Sequence, residues 1–198
     1  MKTESSEELS QFYYTPDLRS FVGDVRIPDI TEEYDPTKSY PSVVDKFYTR
    51  YYFVRPEKKD EDHMVLVHSN RICLIGLSPK HVALQKGIAS VTYDIGNYDR
   101  SKNQVSGKAK KGGMQLQPGT ALALVKCIDG SEYKVVSSIT GRLIEVNSRI
   151  VENPKMMESE GEGYVAIVLP RLDKVETIKA SLMTEEQYNE VIIQELDQ

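Results

Sequence analysis

Residues 105–109 read VSGKA and residues 139–143 read ITGRL. The two blocks share one pattern: a β-branched residue, a hydroxyl residue, glycine, a base, and a small or apolar residue. Gly107 and Gly141 stand 34 positions apart. A proline follows each block, at Pro118 and Pro154, and an apolar stretch closes each unit, Ala121 to Ile128 and Tyr164 to Leu169. Each unit reads as a strand, a tight glycine turn, a loop and a returning strand. One such unit cannot bury its own apolar face, whereas two related by a pseudo-twofold can, packed as a flattened barrel. Asp129-Gly130, a tight-turn pair, lies between them. The pattern predicts an all-β sandwich-barrel with one or two small helices.

The flanking sequence agrees. In residues 41–54 (PSVVDKFYTRYYFV), Pro41-Ser42 opens a short helix, and Phe47, Tyr48, Tyr51, Tyr52 and Phe53 are too dense for a surface loop. Residues 56–62 form a charged loop. Val65 to Val67 and Arg71 to Leu77 have strand character. Ser78-Pro79 predicts a helix start, with a stop at Lys86-Gly87. Ile88 to Ile95, Thr120 to Ile128, Tyr133 to Ser137, Arg142 to Val146 and Tyr164 to Leu169 are further strands. At the C-terminus, Thr184 and Gln187 make a capping box, with Met183 and Tyr188 as its hydrophobic staple. Tyr188, Val191, Ile192 and Leu196 share one helical stripe, predicting an amphipathic helix over 185–197.

The chain of 198 residues is 39% apolar and 28% charged, a composition that buries a core without disulfides or metal. Its longest apolar run is six residues, and a membrane-spanning helix needs about 20. The first 30 residues carry six acids and no apolar block, so no secretory signal peptide is expected. Cys73 and Cys127 sit inside apolar runs, and their count excludes a disulfide framework or a Cys-rich zinc site. A reducing compartment is expected. The net charge of −5 is localised. Residues 1–40 hold nine acids against four bases, and the rest of the chain is balanced. This predicts a disordered acidic tail over 1–40, a barrel-sandwich domain over 41–175 and a C-terminal amphipathic helix over 176–198.

Catalytic signatures are weak. His63 and His68 are five apart, which places them on opposite faces of a strand, and nothing forces a metal site. His68 and Cys73 could form a dyad only if both faced one side, and Cys73 lies among Ile72, Leu74 and Ile75 as an inert thiol would. His68, Asn70 and Arg71 read instead as hairpin or surface-contact residues. No phosphate loop, dinucleotide fingerprint or nucleophile elbow is present. The strongest interaction candidate is the basic segment 100–111. It carries Arg100, Lys102, Lys108, Lys110 and Lys111 with no acid. Because the body is neutral overall, this is a local patch suited to an acidic protein surface more than to nucleic acid.

Ser137 to Leu169, with its SSITGRLIEVN block, following ENP and closing EGY strand, resembles the second half of glycine cleavage H-protein. That likeness implies the biotinyl/lipoyl-carrier hammerhead, a barrel-sandwich hybrid with short helices and a C-terminal helix. In that family the lipoyl lysine precedes the block's glycine by eleven residues. Here that position is Gly130, which cannot carry a lipoyl amide, and Lys126 and Lys134 are out of register. A second likeness covers most of residues 43–195. Phe47-Tyr48-Thr49-Arg50, HSNRIC at 68–73, VSGK at 105–108, DGSEY at 129–133, TGRLIEVN at 140–147, EGYVAIVLP at 162–170 and MTEEQY at 183–188 resemble the Abitram (Simiate) family, actin-binding transcription modulators of animals.

This resemblance implies a non-enzymatic protein without cofactor that binds actin monomers and filaments and affects actin assembly. It also implies a link to transcription or splicing-speckle proteins, and a location in nuclear speckles and in the cytoplasm, including actin-rich projections. Two alternatives stand beside it: a lipoyl- or acyl-carrier protein and a nucleic-acid-binding transcription regulator.

Overall fold

The computed structural model describes residues 21–22, 25–26, 35–96, 98–108 and 110–196. Two compact units are present, Met1–Tyr40 and Pro41–Gln198. In the first, β1 (Phe21–Val22) pairs with β2 (Val25–Arg26) in an antiparallel ladder. Asp35 Oδ1 accepts from the Thr37 amide at 2.9 Å. The expected disorder of this segment concerns residues that mostly lie outside the described ones.

The second unit is built on two antiparallel sheets. The larger comprises β3 (Tyr48–Phe53), β4 (His63–His68), β5 (Cys73–Leu77), β7 (Gln115–Leu116), β10 (Gly141–Val146), β11 (Ala166–Leu169) and β12 (Met183–Thr184), in the order β12-β3-β4-β5-β11-β10-β7. The smaller comprises β6 (Ile88–Thr92), β8 (Ala121–Cys127) and β9 (Glu132–Val136), in the order β6-β8-β9. The main core draws on both sheets: Val65, Ile75, Leu143 and Val168 from the larger, and Val91, Val125 and Val135 from the smaller. Residues alternate faces along a strand, and β4 uses both. His63, Val65 and Val67 face the main core, whereas Met64 and Leu66 join a second cluster with Val44, Tyr52, Leu74 and Tyr188. The apolar run Met64–Val67 is thus a strand covered on both faces.

Helices close the ends. In α1 (Val43–Phe47), Ser42 Oγ accepts from the Asp45 amide at 3.1 Å, and Asp45 reaches back to the Ser42 amide at 3.0 Å. α2 (Val82–Lys86) begins later than Ser78-Pro79 predicts, because Ser78 is buried and lies 3.3 Å from the Tyr188 hydroxyl. His81 takes the N-cap, its Nδ1 accepting from the Ala83 amide at 3.0 Å. The stop at Gly87, with φ of +74°, is where the sequence puts it. α3 (Arg149–Glu152) and α4 (Val175–Ala180) are short, and α5 (Glu185–Leu196) is the C-terminal helix. Thr184 and Gln187 form the capping box at 3.0 and 3.3 Å, and Tyr188 stacks on Tyr52 at 3.9 Å and 7°. The 176–198 segment therefore holds α4, β12 and α5 and not a single helix.

The repeat is realised asymmetrically. Gly107 turns with φ of +64°, but the described residues of its block form only a Ser106–Lys111 bridge and no strand. Gly141 is not a turn residue. It lies inside β10, where an added Cβ would stand 2.6 Å from Val168 Cγ1 and 3.1 Å from the Leu169 backbone. One glycine supplies a left-handed conformation and the other permits close approach of strands. The returning strands do form, β8 in one sheet and β11 in the other. The β8–β9 hairpin turns at Asp129-Gly130 as predicted, with Gly130 at φ of +82°.

Candidate binding cleft

At the β8–β9 turn, Gly130 occupies the tip. Lys126 pairs across the ladder with Glu132 at 3.8 Å, and Lys134 lies opposite Leu124. A third lysine arrives from outside the hairpin. Lys86, the last residue of α2, places its Nζ 2.7 Å from the Tyr133 hydroxyl and 3.0 Å from Asp129 Oδ2. The hydrogen bonds to Tyr133 and then Asp129 raise its pKa above the usual lysine range, so its amine stays protonated and non-nucleophilic.

The other sequence candidates do not assemble a catalytic site. Cys73 is buried in the main core, and burial pushes its thiol up to about 12. His68 lies on the opposite face, its ring near Phe47 (6.5 Å) and Tyr48 (5.2 Å). Its Nδ1 accepts from the Asn70 amide at 3.1 Å, and Asn70 Oδ1 accepts from the Ile72 amide at 3.0 Å. These residues organise the β4–β5 turn, with Arg71 at φ of +68°. His63 and His81 are both buried, with ring centroids 5.8 Å apart. Burial holds both below the usual histidine range, His81 at about 4, so both are neutral at pH 7. Among the described residues, no three His, Cys, Asp or Glu side chains are grouped to hold a metal ion. No helix among them is long and apolar enough to cross a membrane.

Charge converges at one end of the larger sheet. There the β4–β5 turn, the 106–111 turn, the start of β10, the end of β11 and the segment leading to α4 surround a cleft lined by Arg71, Lys108, Lys110, Arg142, Arg171 and Lys174. Among the described residues, no acidic side chain lines it. Arg142 is positioned tightly. Its Nη1 donates to the Lys110 carbonyl at 2.9 Å, and Gln115, with its amide oriented to accept, receives Nε at 3.0 Å and Nη2 at 3.2 Å. Arg71 donates to the Pro170 carbonyl at 3.3 Å, and Arg171 pairs with Asp173 at 3.1 Å.

The five sequence-predicted contact residues divide. Lys108 and Lys110 line the cleft, and Lys111 is exposed on the same turn. Arg100 turns inward, donating to the Ala121 carbonyl at 3.1 Å, with its guanidinium 5.3 Å from the Tyr98 ring. Lys102 pairs with Asp99 at 3.3 Å. Arg142, Arg171 and Lys174 escape the sequence reading, and Arg71 enters it only as a hairpin or surface-contact residue, because proximity along the chain is a poor guide to proximity across a sheet. One signal was present: Lys108 and Arg142 hold the same position in the two glycine blocks, and both line the cleft.

Residues 57–195 match the family described as glycine cleavage H-protein. Among curated proteins, the chain is 50% identical over 192 residues to Protein Abitram of Drosophila melanogaster, covering 96% of this chain and 87% of that one. It is 42% identical over 165 residues to Protein Abitram of Homo sapiens, covering 79% and 90%. It is 31% identical over 156 residues to Protein Abitram of Dictyostelium discoideum, covering 76% and 87%. The last match extends the likeness beyond animals. Among solved structures, a glycine cleavage system H protein from Mycobacterium marinum aligns over 70% of this chain and 92% of its own, at 16% identity and a TM-score of 0.45.

Proposed function

The chain belongs to the Abitram family, with an H-protein-like domain over residues 57–195, and on that basis we propose that it is a non-enzymatic binding protein whose partner is actin, as monomer and as filament. The observation that carries this reading is the β8–β9 turn. Gly130 stands where a carrier would need its acceptor lysine, and Lys86 beside it is held charged by Tyr133 and Asp129. A carrier fold without its attachment point retains only its surfaces. The surface that favours an acidic partner is the cleft with Lys108 and Lys110. Through unequal affinity for monomer and filament, the protein shifts actin assembly by that difference alone. The same binding links it to transcription, with the protein in nuclear speckles and in the cytoplasm, including actin-rich projections.

The test is co-sedimentation of the full chain with filamentous actin at two salt concentrations, alongside monomer binding. Saturable pelleting that weakens at higher salt is expected, and a Lys108/Lys110/Lys111→Ala triple variant should pellet less. Failure to bind either filament or monomer overturns the actin reading.

A further inference from the structure

A second groove adjoins the basic cleft, and Arg71 lines both. It is lined from α1, the start of β3, the β4–β5 turn and α4. Two large apolar side chains stand open to solvent there: Phe47 is 51% exposed and Leu172 is 76% exposed. Its acids are engaged, Asp45 with Arg50 at 2.6 Å and Glu176 with Lys179 at 3.0 Å. One end of the larger sheet thus presents a cationic cleft and, adjoining it at Arg71, a mixed groove in which Phe47 and Leu172 stand exposed.

From this continuity we infer that the composite groove is a docking site for an acidic peptide segment carrying one bulky apolar side chain. Carboxylates of the segment face Lys108, Lys110 and Lys174, and its apolar residue packs on Phe47 and Leu172. The three lysines make no ion pair among the described residues, so their charge is available to a partner. Arg142 and Arg71 are already committed to backbone or amide acceptors, so they fix the shape and the potential of the cleft. A peptide fits better than nucleic acid for two reasons. Among the described residues, the basic cleft contains no aromatic ring on which a base could stack. The body beyond residue 40 is electrically balanced, unlike a nucleic-acid-binding domain. The inference rests on the proposed partner-binding role and names its surface.

The test needs no actin, so the two proposals fail separately. Fluorescence anisotropy of the full chain is measured with three labelled probes: a short Glu/Asp peptide bearing one Leu, the same peptide with Ser in place of Leu, and an oligouridylate. Saturable, salt-sensitive binding of the Leu-bearing peptide is expected. Lys108→Glu/Lys174→Glu should weaken both peptides by about tenfold or more. Phe47→Ser/Leu172→Ser should weaken only the Leu-bearing peptide, by about tenfold. All four substituted residues are exposed, and circular dichroism confirms that each variant is folded. The inference is overturned if neither peptide binds, if the charge-reversed variant binds them as wild type does, or if the oligouridylate binds more tightly than the peptides. Actin pelleting that survives peptide failure leaves the actin reading intact and removes the groove as the site.

Discussion

Arg50 shows how much one residue can connect. Its guanidinium meets Asp45 of α1 at 2.6 Å, both oxygens of Glu160 at 2.6 and 2.8 Å, and Glu185 of α5 at 3.8 Å. Its side chain is only 17% exposed, whereas its partners are more than a third exposed, so solvent screens part of the attraction. Arg50→Ala is expected to lower stability by about 1–2 kcal/mol in urea unfolding, and Arg50→Lys to restore only part of it, because a lysine cannot grip a carboxylate at two points. Gly141 makes a sharper prediction. Gly141→Ala forces a methyl onto Val168 and the Leu169 backbone, and a cost of about 1–3 kcal/mol is expected in the same measurement. His81 gives a pH dependence. Its folded pKa of about 4 lies below its ordinary value of 6.5, so the unfolded chain binds more protons between those values. Stability is therefore full above pH 6.5 and falls as pH drops toward 4, by up to roughly 3 kcal/mol from this residue. His63 acts in the same direction. Urea titrations at stepped pH should show that loss diminish in His81→Asn, a variant whose side chain can still cap α2.

Among the elements, α5 completes the larger sheet. The face of β4 carrying Met64 and Leu66 would lie open without the helix that brings Tyr188 onto Tyr52. The Tyr188 hydroxyl lies 3.2 Å from Asp62 and 3.3 Å from Ser78, joining the helix to the last residue of the charged loop and to the residue after β5. Tyr188→Ala should cost about 3–5 kcal/mol through lost burial and a cavity, whereas Tyr188→Phe keeps the stack and should cost about 1 kcal/mol. Thermal unfolding of the two variants separates ring packing from the hydroxyl contacts. α5 was legible because its cap, staple and stripe are local signals. β12 was not, since a two-residue strand acquires its identity only by pairing with β3.

For the whole molecule, the architecture is H-protein-like, with Gly130 at the tip of the β8–β9 hairpin. Protein from its native source is expected to show an intact mass without a lipoyl or other acyl addition. An acyl group mapped to Lys86, Lys126 or Lys134 would reverse the non-carrier reading. The body beyond residue 40 is electrically balanced and carries a cationic cleft, so the proposed association is expected to be salt-dependent at that cleft rather than over the whole surface.

By itself the sequence determined much that is governed by neighbours along the chain: most of the longer strands, the Asp129-Gly130 turn, the Ser42 and Thr184 caps, and the glycine at position 130. Turn geometry and capping depend on a few adjacent residues, so they can be read directly. Only the tertiary structure decided what depends on register across the sheets. It made Gly141 a packing glycine, set His68 and Cys73 on opposite faces, and turned Arg100 inward. It also gathered Arg71, Lys108, Arg142 and Lys174, scattered over a hundred positions, at one sheet end. Strand pairing brings distant residues within reach through hydrogen bonds that no local pattern encodes.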